Sequence, residues 1–232
     1  MLNRRILQAA CFALCLVAPA WAAADGVRPW LSGSIGGSMY AMKDVNDEVE
    51  LINSSYAGSG VEMDEVTKGL NYGLVLGLDV NSAFSVGIGY DRLTARTEVD
   101  GASESIEYDL PSNLLRAFGR FSFKSTGKSR GFLEASLGRV SADATASSTA
   151  TGLPPDNDNL EGSGLAAEGA GGFSYWTSPK IALVGSLGYR SAKAEDIEAD
   201  GVPLQSPQGN GNFSIDYSGV FVRLGLTLAL AP

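Results

Sequence analysis

Histidine is absent from all 232 residues. Acid–base work near neutral pH falls most often to its imidazole, so the commonest triad and general-base chemistries lack their usual centre. Cysteine occurs only at Cys11 and Cys15, both before Val17. A mature chain that starts beyond them has no thiol, no disulfide and no cysteine metal site. Leu14 precedes Cys15, and the apolar run before Cys11 is too short, so a lipoprotein reading fails. No Ser-x-x-Lys pair and no paired-carboxylate cleft stands out. The glycine-rich runs at 33–37 and 169–172 lie in strand-like segments, where glycine permits close packing rather than phosphate binding. These absences indicate a non-enzyme without cofactor or metal centre.

Positive charge is scarce too. Arg4 and Arg5 open the chain, Ile6 to Val17 is apolar, and Ala20-Trp21-Ala22 offers a small-x-small cleavage site. Residues 1–22 are therefore expected to be a signal peptide, with cleavage possibly as late as Ala24. The apolar run falls short of the roughly 20 residues of a membrane-spanning helix. Without Arg4 and Arg5, 15 bases face 26 acids, a net charge of −11. Nucleic acid, whose phosphates need a basic surface, is excluded. No second apolar stretch of helical length exists, and 29 glycines point to an all-β design.

What is present is alternation. From Val220 the even positions read Val220, Val222, Leu224, Leu226, Leu228 and Leu230; the odd ones read Gly219, Phe221, Arg223, Gly225, Thr227 and Ala229. A period of two marks a strand with unlike faces. The pattern recurs about eight times, near 30–41, 67–79, 84–91, 113–123, 131–140, 165–176 and 181–190, and again at the end. Long polar connections, near 43–66, 98–110, 142–163 and 194–214, alternate with turns of a few residues. Even strand number with short turns on one side and long loops on the other is the plan of an outer-membrane barrel. The expectation is an eight-stranded antiparallel transmembrane β-barrel over 23–232, apolar face outward, monomeric, in a bacterial outer membrane. A soluble barrel would need the apolar face inward.

On Leu187-Gly188-Tyr189-Arg190 and the terminal strand, the chain resembles the family of small outer-membrane β-barrels typified by the OmpA membrane domain, OmpX and opacity-type surface proteins. The resemblance implies a terminal strand presented to the barrel-assembly machinery. The family usually ends on an aromatic residue, whereas this chain ends Leu230-Ala231-Pro232. Outer-membrane enzymes of similar plan use histidine, which this chain lacks.

Parity assigns the charges. Asp79, Asp91, Glu134 and Glu168 share the inner face with Arg116, Arg120, Arg190 and Arg223. Eight strands leave room only for packed side chains, so these four acids and four bases are expected to pair, with Arg116 or Arg120 near Glu134. The network reads either as a plug or as a gate. Lys43, Lys68, Arg92, Arg96, Arg139 and Lys193 fall on the outer face near the loop ends. They read either as snorkelling side chains or as a girdle for lipopolysaccharide phosphates. Residues 43–66, 98–109, 141–162 and 194–216 hold 21 of the 26 acids. Glu62-Met63-Asp64-Glu65 and Asp156-Asn157-Asp158 are the densest clusters, read as solvated loops or as seats for divalent cations. The function expected is a structural or surface-interaction role. The alternative is a narrow pore for ions or small apolar solutes, of the kind the OmpW family provides, with Leu51, Ile52, Tyr56, Leu153, Pro154 and Pro155 at its mouth.

Overall fold

The computed structural model describes residues 27–57, 62–100, 104–124, 127–150, 156–209 and 211–230. The expected signal peptide lies outside the described residues, as do Leu153, Pro154, Pro155, Ala231 and Pro232. The elements are β1 (Arg28–Met39), α1 (Lys43–Ser55), β2 (Lys68–Asp79), β3 (Phe84–Thr94), β4 (Arg96–Asp100), β5 (Glu104–Asp109), β6 (Ser112–Lys124), β7 (Ser129–Ala150), β8 (Asp156–Trp176), β9 (Ile181–Ala199), β10 (Val202–Pro203), β11 (Ile215–Asp216) and β12 (Gly219–Ala229).

Eight of these strands close into a ring. β1, β2, β3, β6, β7, β8 and β9 pair in sequence, all antiparallel, and β9 pairs β12. β12 returns to β1, from Trp30 opposite Ala229 to Ser38 opposite Phe221. Closure satisfies every ladder group from within, the condition for crossing hydrocarbon. Short turns join the strands at one end. In one of them the Asn81 side chain accepts from the Ala83 and Phe84 amides at 2.8 and 2.9 Å.

The outward faces form an apolar belt that includes Ile35, Leu74, Ile88, Leu115, Leu133, Leu137, Leu187 and Leu224, all exposed. Phe84, Phe121, Phe123, Phe173 and Tyr175 ring its short-turn end, and Tyr72 and Tyr189 lie towards the other. A belt flanked by aromatic girdles is the lipid-facing surface of an outer-membrane barrel. Among the described residues no helix is long and apolar enough to cross a membrane; the strands make the crossing.

Above the belt the two faces exchange character. On β7 the outward run Leu133, Ala135, Leu137 continues as Arg139, Ser141, Asp143. Its inward run, Phe132, Glu134, Ser136, becomes Val140, Ala142, Ala144, all buried. β3 turns from Asp91 to Leu93 and Ala95 on the inside, β6 from Arg116 to Leu114, and β9 from Arg190 to Ala192 and Ala194. About 9–11 tilted residues cross the hydrocarbon. The 22 residues of β7 and 21 of β8 therefore continue well beyond it.

This extension corrects the sequence reading of four polar loops. β4 and β5 form a hairpin whose second strand, β5, pairs β7 and leaves β4 at the edge, so β4, β5, β7, β8, β9 and β10 make a sheet above the membrane. Helix α1 packs against this sheet. Val45 and Val49 are buried, and Val49 meets Met63 and Val99 with Ile52 and Ile106 beside them. Only this short stripe is apolar in a segment with seven acids, so the helix went unread among polar residues. Two asparagines bind it to the following chain. Asn46 accepts from the Val66 amide at 2.8 Å, and Asn53 accepts from that of Met63 at 2.7 Å. At its first turn Asp44 accepts from the Ser214 amide and hydroxyl at 3.0 and 2.5 Å. Ile52 is partly buried against the Val49 cluster, while Leu51 is exposed.

The boundary between the two regimes predicts how charge is tolerated. Leu224→Arg, within the belt, is expected to cost about 2–4 kcal/mol in lipid. Ser191→Arg, outward at the upper boundary, is expected to cost about 0–1 kcal/mol. Reversible unfolding in bilayers, compared with the parent chain, measures both.

Candidate functional site: a charged lumen beneath an apolar lid

The inward arginines and carboxylates meet at one level of the barrel. Glu168 on β8 is the hub. Its Oε1 accepts from Arg190 Nε at 2.6 Å and Arg223 Nη2 at 2.9 Å. Its Oε2 accepts from Arg223 Nη1 at 3.2 Å and lies 3.3 Å from Arg116 Nε. Glu134 on β7 takes Arg116 Nη1 at 2.9 Å and Arg120 Nη2 at 2.7 Å. Asp91 on β3 takes Arg116 Nε at 2.8 Å, with Arg223 Nη2 at 3.5 Å. Seven of the eight inward charges named from the sequence thus lie in one network fed by six strands.

Local sequence makes room for it. Arg116 stands between Gly89 and Gly138 in the ladder. A Cβ on Gly138 would lie 2.8 Å from Arg116 Cα, and one on Gly73 would lie 2.4 Å from Asp91 Oδ1. Aromatic faces complete the packing. Arg120 is held between Trp30 and Phe132, at 4.8 and 4.3 Å from the ring centroids. Arg223 lies 4.1 Å from the Phe221 centroid. Of these aromatics the sequence reading set only Phe221 on the inward parity. The signal was available, since Phe118 and Phe132 share the parity of Arg116 and Glu134.

Asp79 is the exception. It accepts from Trp30 Nε1 at 2.9 Å and Ser85 Oγ at 2.7 Å, and makes no ion pair among the described residues. It sits nearer the short-turn end, where Arg130, which the sequence reading did not assign, lines the same two hollows. Arg130 also lies over Trp176.

Three hollows lie along the lumen. A mouth of about 270 Å³ opens at the short-turn end. Beyond it lie two cavities of about 40 Å³ each, the second bordered by Arg116, Arg120, Glu134 and Arg223. Above the network, Tyr40, Met42, Leu93, Leu114, Val140 and Tyr217 belong to one buried apolar cluster that fills the barrel. The interior is therefore polar only within the membrane, not along its whole length. In the cap, burial pushes the Tyr108 hydroxyl up to about 12, helped by the Glu48 and Asp158 carboxylates, so it stays protonated in ordinary media.

The six outer bases fall into two groups. Lys43 is not on a strand: it begins α1 and pairs with Asp47 at 2.5 Å. Arg96 pairs with Glu98, and with Glu107 at 3.2 Å. Arg92 and Arg139 instead hold neutral acceptors, Asn113 Oδ1 at 2.9 Å and Ser163 Oγ at 2.7 Å. Lys68 and Lys193 are exposed, Lys68 at the start of β2 and Lys193 within β9, six residues before its end. Among the described residues no three acidic side chains converge in a metal-holding arrangement.

Glu168→Gln leaves three guanidinium groups short of a carboxylate and is expected to destabilise the barrel by about 3–5 kcal/mol. Asp79→Asn, whose partners are neutral donors, is expected to cost less. Urea midpoints of the refolded variants decide the order.

No family model and no curated protein matches the chain. Among solved structures it is similar to Neisserial surface protein A, with 12% identity over 88% of this chain and 99% of that one, at a TM-score of 0.49. It is similar to Ail, the attachment invasion locus protein of Yersinia pestis, with 13% identity over 89% of this chain and 100% of that one, at 0.44. It is also similar to the outer membrane protein OprG of Pseudomonas aeruginosa, with 13% identity, coverages of 89% and 95%, and a score of 0.39. At such identities and scores, the function has to be read from the chain's own residues.

Proposed function

We propose that this chain is a non-enzymatic, plugged outer-membrane barrel whose working part is the folded acidic cap it holds at the cell surface. One observation carries this reading: the charge network and the buried apolar cluster above it occupy successive levels of the interior. A path for ions would have to displace both. The acids left on the cap exterior, among them Asp156, Asp158, Glu195 and Glu198, are exposed and suit a structural or surface-contact role. The network serves as a plug and not as a gate. The narrow-pore alternative draws on the mouth and the two small cavities, which reach the network from one side only. Planar-bilayer recordings of the refolded, inserted mature chain are expected to be silent. Steady discrete steps that change in Arg120→Ala would replace the plug with the pore.

The same reading extends to the upper boundary. Arg92, Arg139, Lys68 and Lys193 face outward there without a carboxylate partner, and the outer leaflet presents lipopolysaccharide phosphates. The four form a partial girdle for those phosphates. Lys43 and Arg96, held by acids, take no part. Arg92→Glu with Arg139→Glu is expected to lower lipopolysaccharide co-purification several-fold; unchanged recovery would remove the girdle.

A further inference from the structure

The network does not balance. It contains Arg116, Arg120, Arg190 and Arg223 against Asp91, Glu134 and Glu168, four positive groups to three negative. Counting Asp79 and Arg130, which line the first cavity with Arg120, gives five positive groups to four negative and leaves the same excess. Arg223 is 6% exposed and lines the second cavity, yet its Nε has no hydrogen-bond partner among the described residues. Unpaired buried donors of a charged group are costly.

The cavity beside them fits a small guest. Its volume is about 40 Å³, and Arg116, Arg120 and Arg223 line it with Ser34 and Ser186. A water-sized particle needs about 10–15 Å³ on this measure, so two or three fit. Arginine side chains supply one wall and serine hydroxyls, also donors, another. Glu134 is the one carboxylate lining the cavity, and Arg116 and Arg120 already engage both its oxygens. The first cavity shares Arg120 and Phe132 with this one, and shares Trp30 and Asp79 with the mouth. The three hollows thus lie in series from the short-turn end.

We propose that this cavity is a binding site for one small monovalent anion of chloride size, entered from the periplasmic mouth and held by Arg116, Arg120 and Arg223. The anion neutralises the surplus guanidinium charge and completes the plug.

Three measurements on the refolded full barrel test the site. Unfolding midpoints are followed while chloride replaces gluconate at constant ionic strength. The midpoint is expected to rise with chloride and to saturate, as for any ligand that binds only the folded state. Crystals grown in bromide are expected to show one anomalous peak among the three arginines. Ser34→Asp sets a tethered carboxylate in the cavity; it is expected to keep the fold and to abolish the chloride dependence. No bromide peak in the cavity overturns the proposal, whether the midpoint moves or not, because a shift without a peak is a bulk salt effect. A cavity holding water alone predicts the reverse for Ser34→Asp, a loss of stability with no response to chloride. Should that variant fail to fold, the bromide experiment on the parent chain decides alone.

Discussion

Each long strand of this barrel passes through two solvents, and everything else follows from that. In hydrocarbon an outward leucine is at home and an outward arginine is not. A few residues further, in water, the preference reverses. Because side chains alternate strictly, the inward face must reverse in the opposite sense. The chain meets both demands at one level, between Leu137 and Arg139 on β7 and between Arg190 and Ala192 on β9. Below that level the inside is polar and needs charges that neutralise each other. Above it the inside is apolar and behaves as the core of a soluble protein. These two interiors are stacked end to end along the barrel.

The charge network adds specificity more than strength. Buried ion pairs seldom outweigh the cost of desolvating their members. Here, however, partners come from strands that are not neighbours: Glu168 of β8 reaches Arg116 of β6 and Arg223 of β12. A slip of one residue in any ladder would move that strand's charge from the lumen into lipid. The network therefore penalises every wrong register across six strands at once. The glycines around Arg116 and Asp91 have the complementary part, since a side chain there would occupy the space the guanidinium and carboxylate need.

Strand number, face assignment and inward charges were legible in the sequence because period-two alternation survives without any knowledge of contacts. Arg116, Arg120, Glu134 and Glu168 could be placed inside by counting alone. The cap was not legible for a related reason. Above the membrane the alternation continues in inverted sense, with small residues such as Ala142, Ala144, Ala192 and Ala194 as its apolar half, so it reads as weak polar sequence. Helix α1 has three inward aliphatics amid acids, too few to reveal a 3.6-residue period. Partner identity was beyond parity altogether. Position along the barrel, which separates Asp79 from the other carboxylates, depends on strand tilt and stagger, and these appear only when the ring closes. Lys43 was misplaced because strand parity was carried past residue 41 into the connection.

The inverted alternation of β7 also bears on how such a surface can diverge. Along the part of the strand beyond the membrane, every second residue, Ser141, Asp143, Thr145, faces outward, while Val140, Ala142 and Ala144 are buried. Changes that alter what another cell or an antibody meets are therefore confined to one residue in two. A bulky replacement at the alternate positions would press on the core that seals the barrel. Lineages of this protein would then accumulate surface differences with a two-residue rhythm along these strands, a pattern set by packing and visible in aligned sequences without any structure.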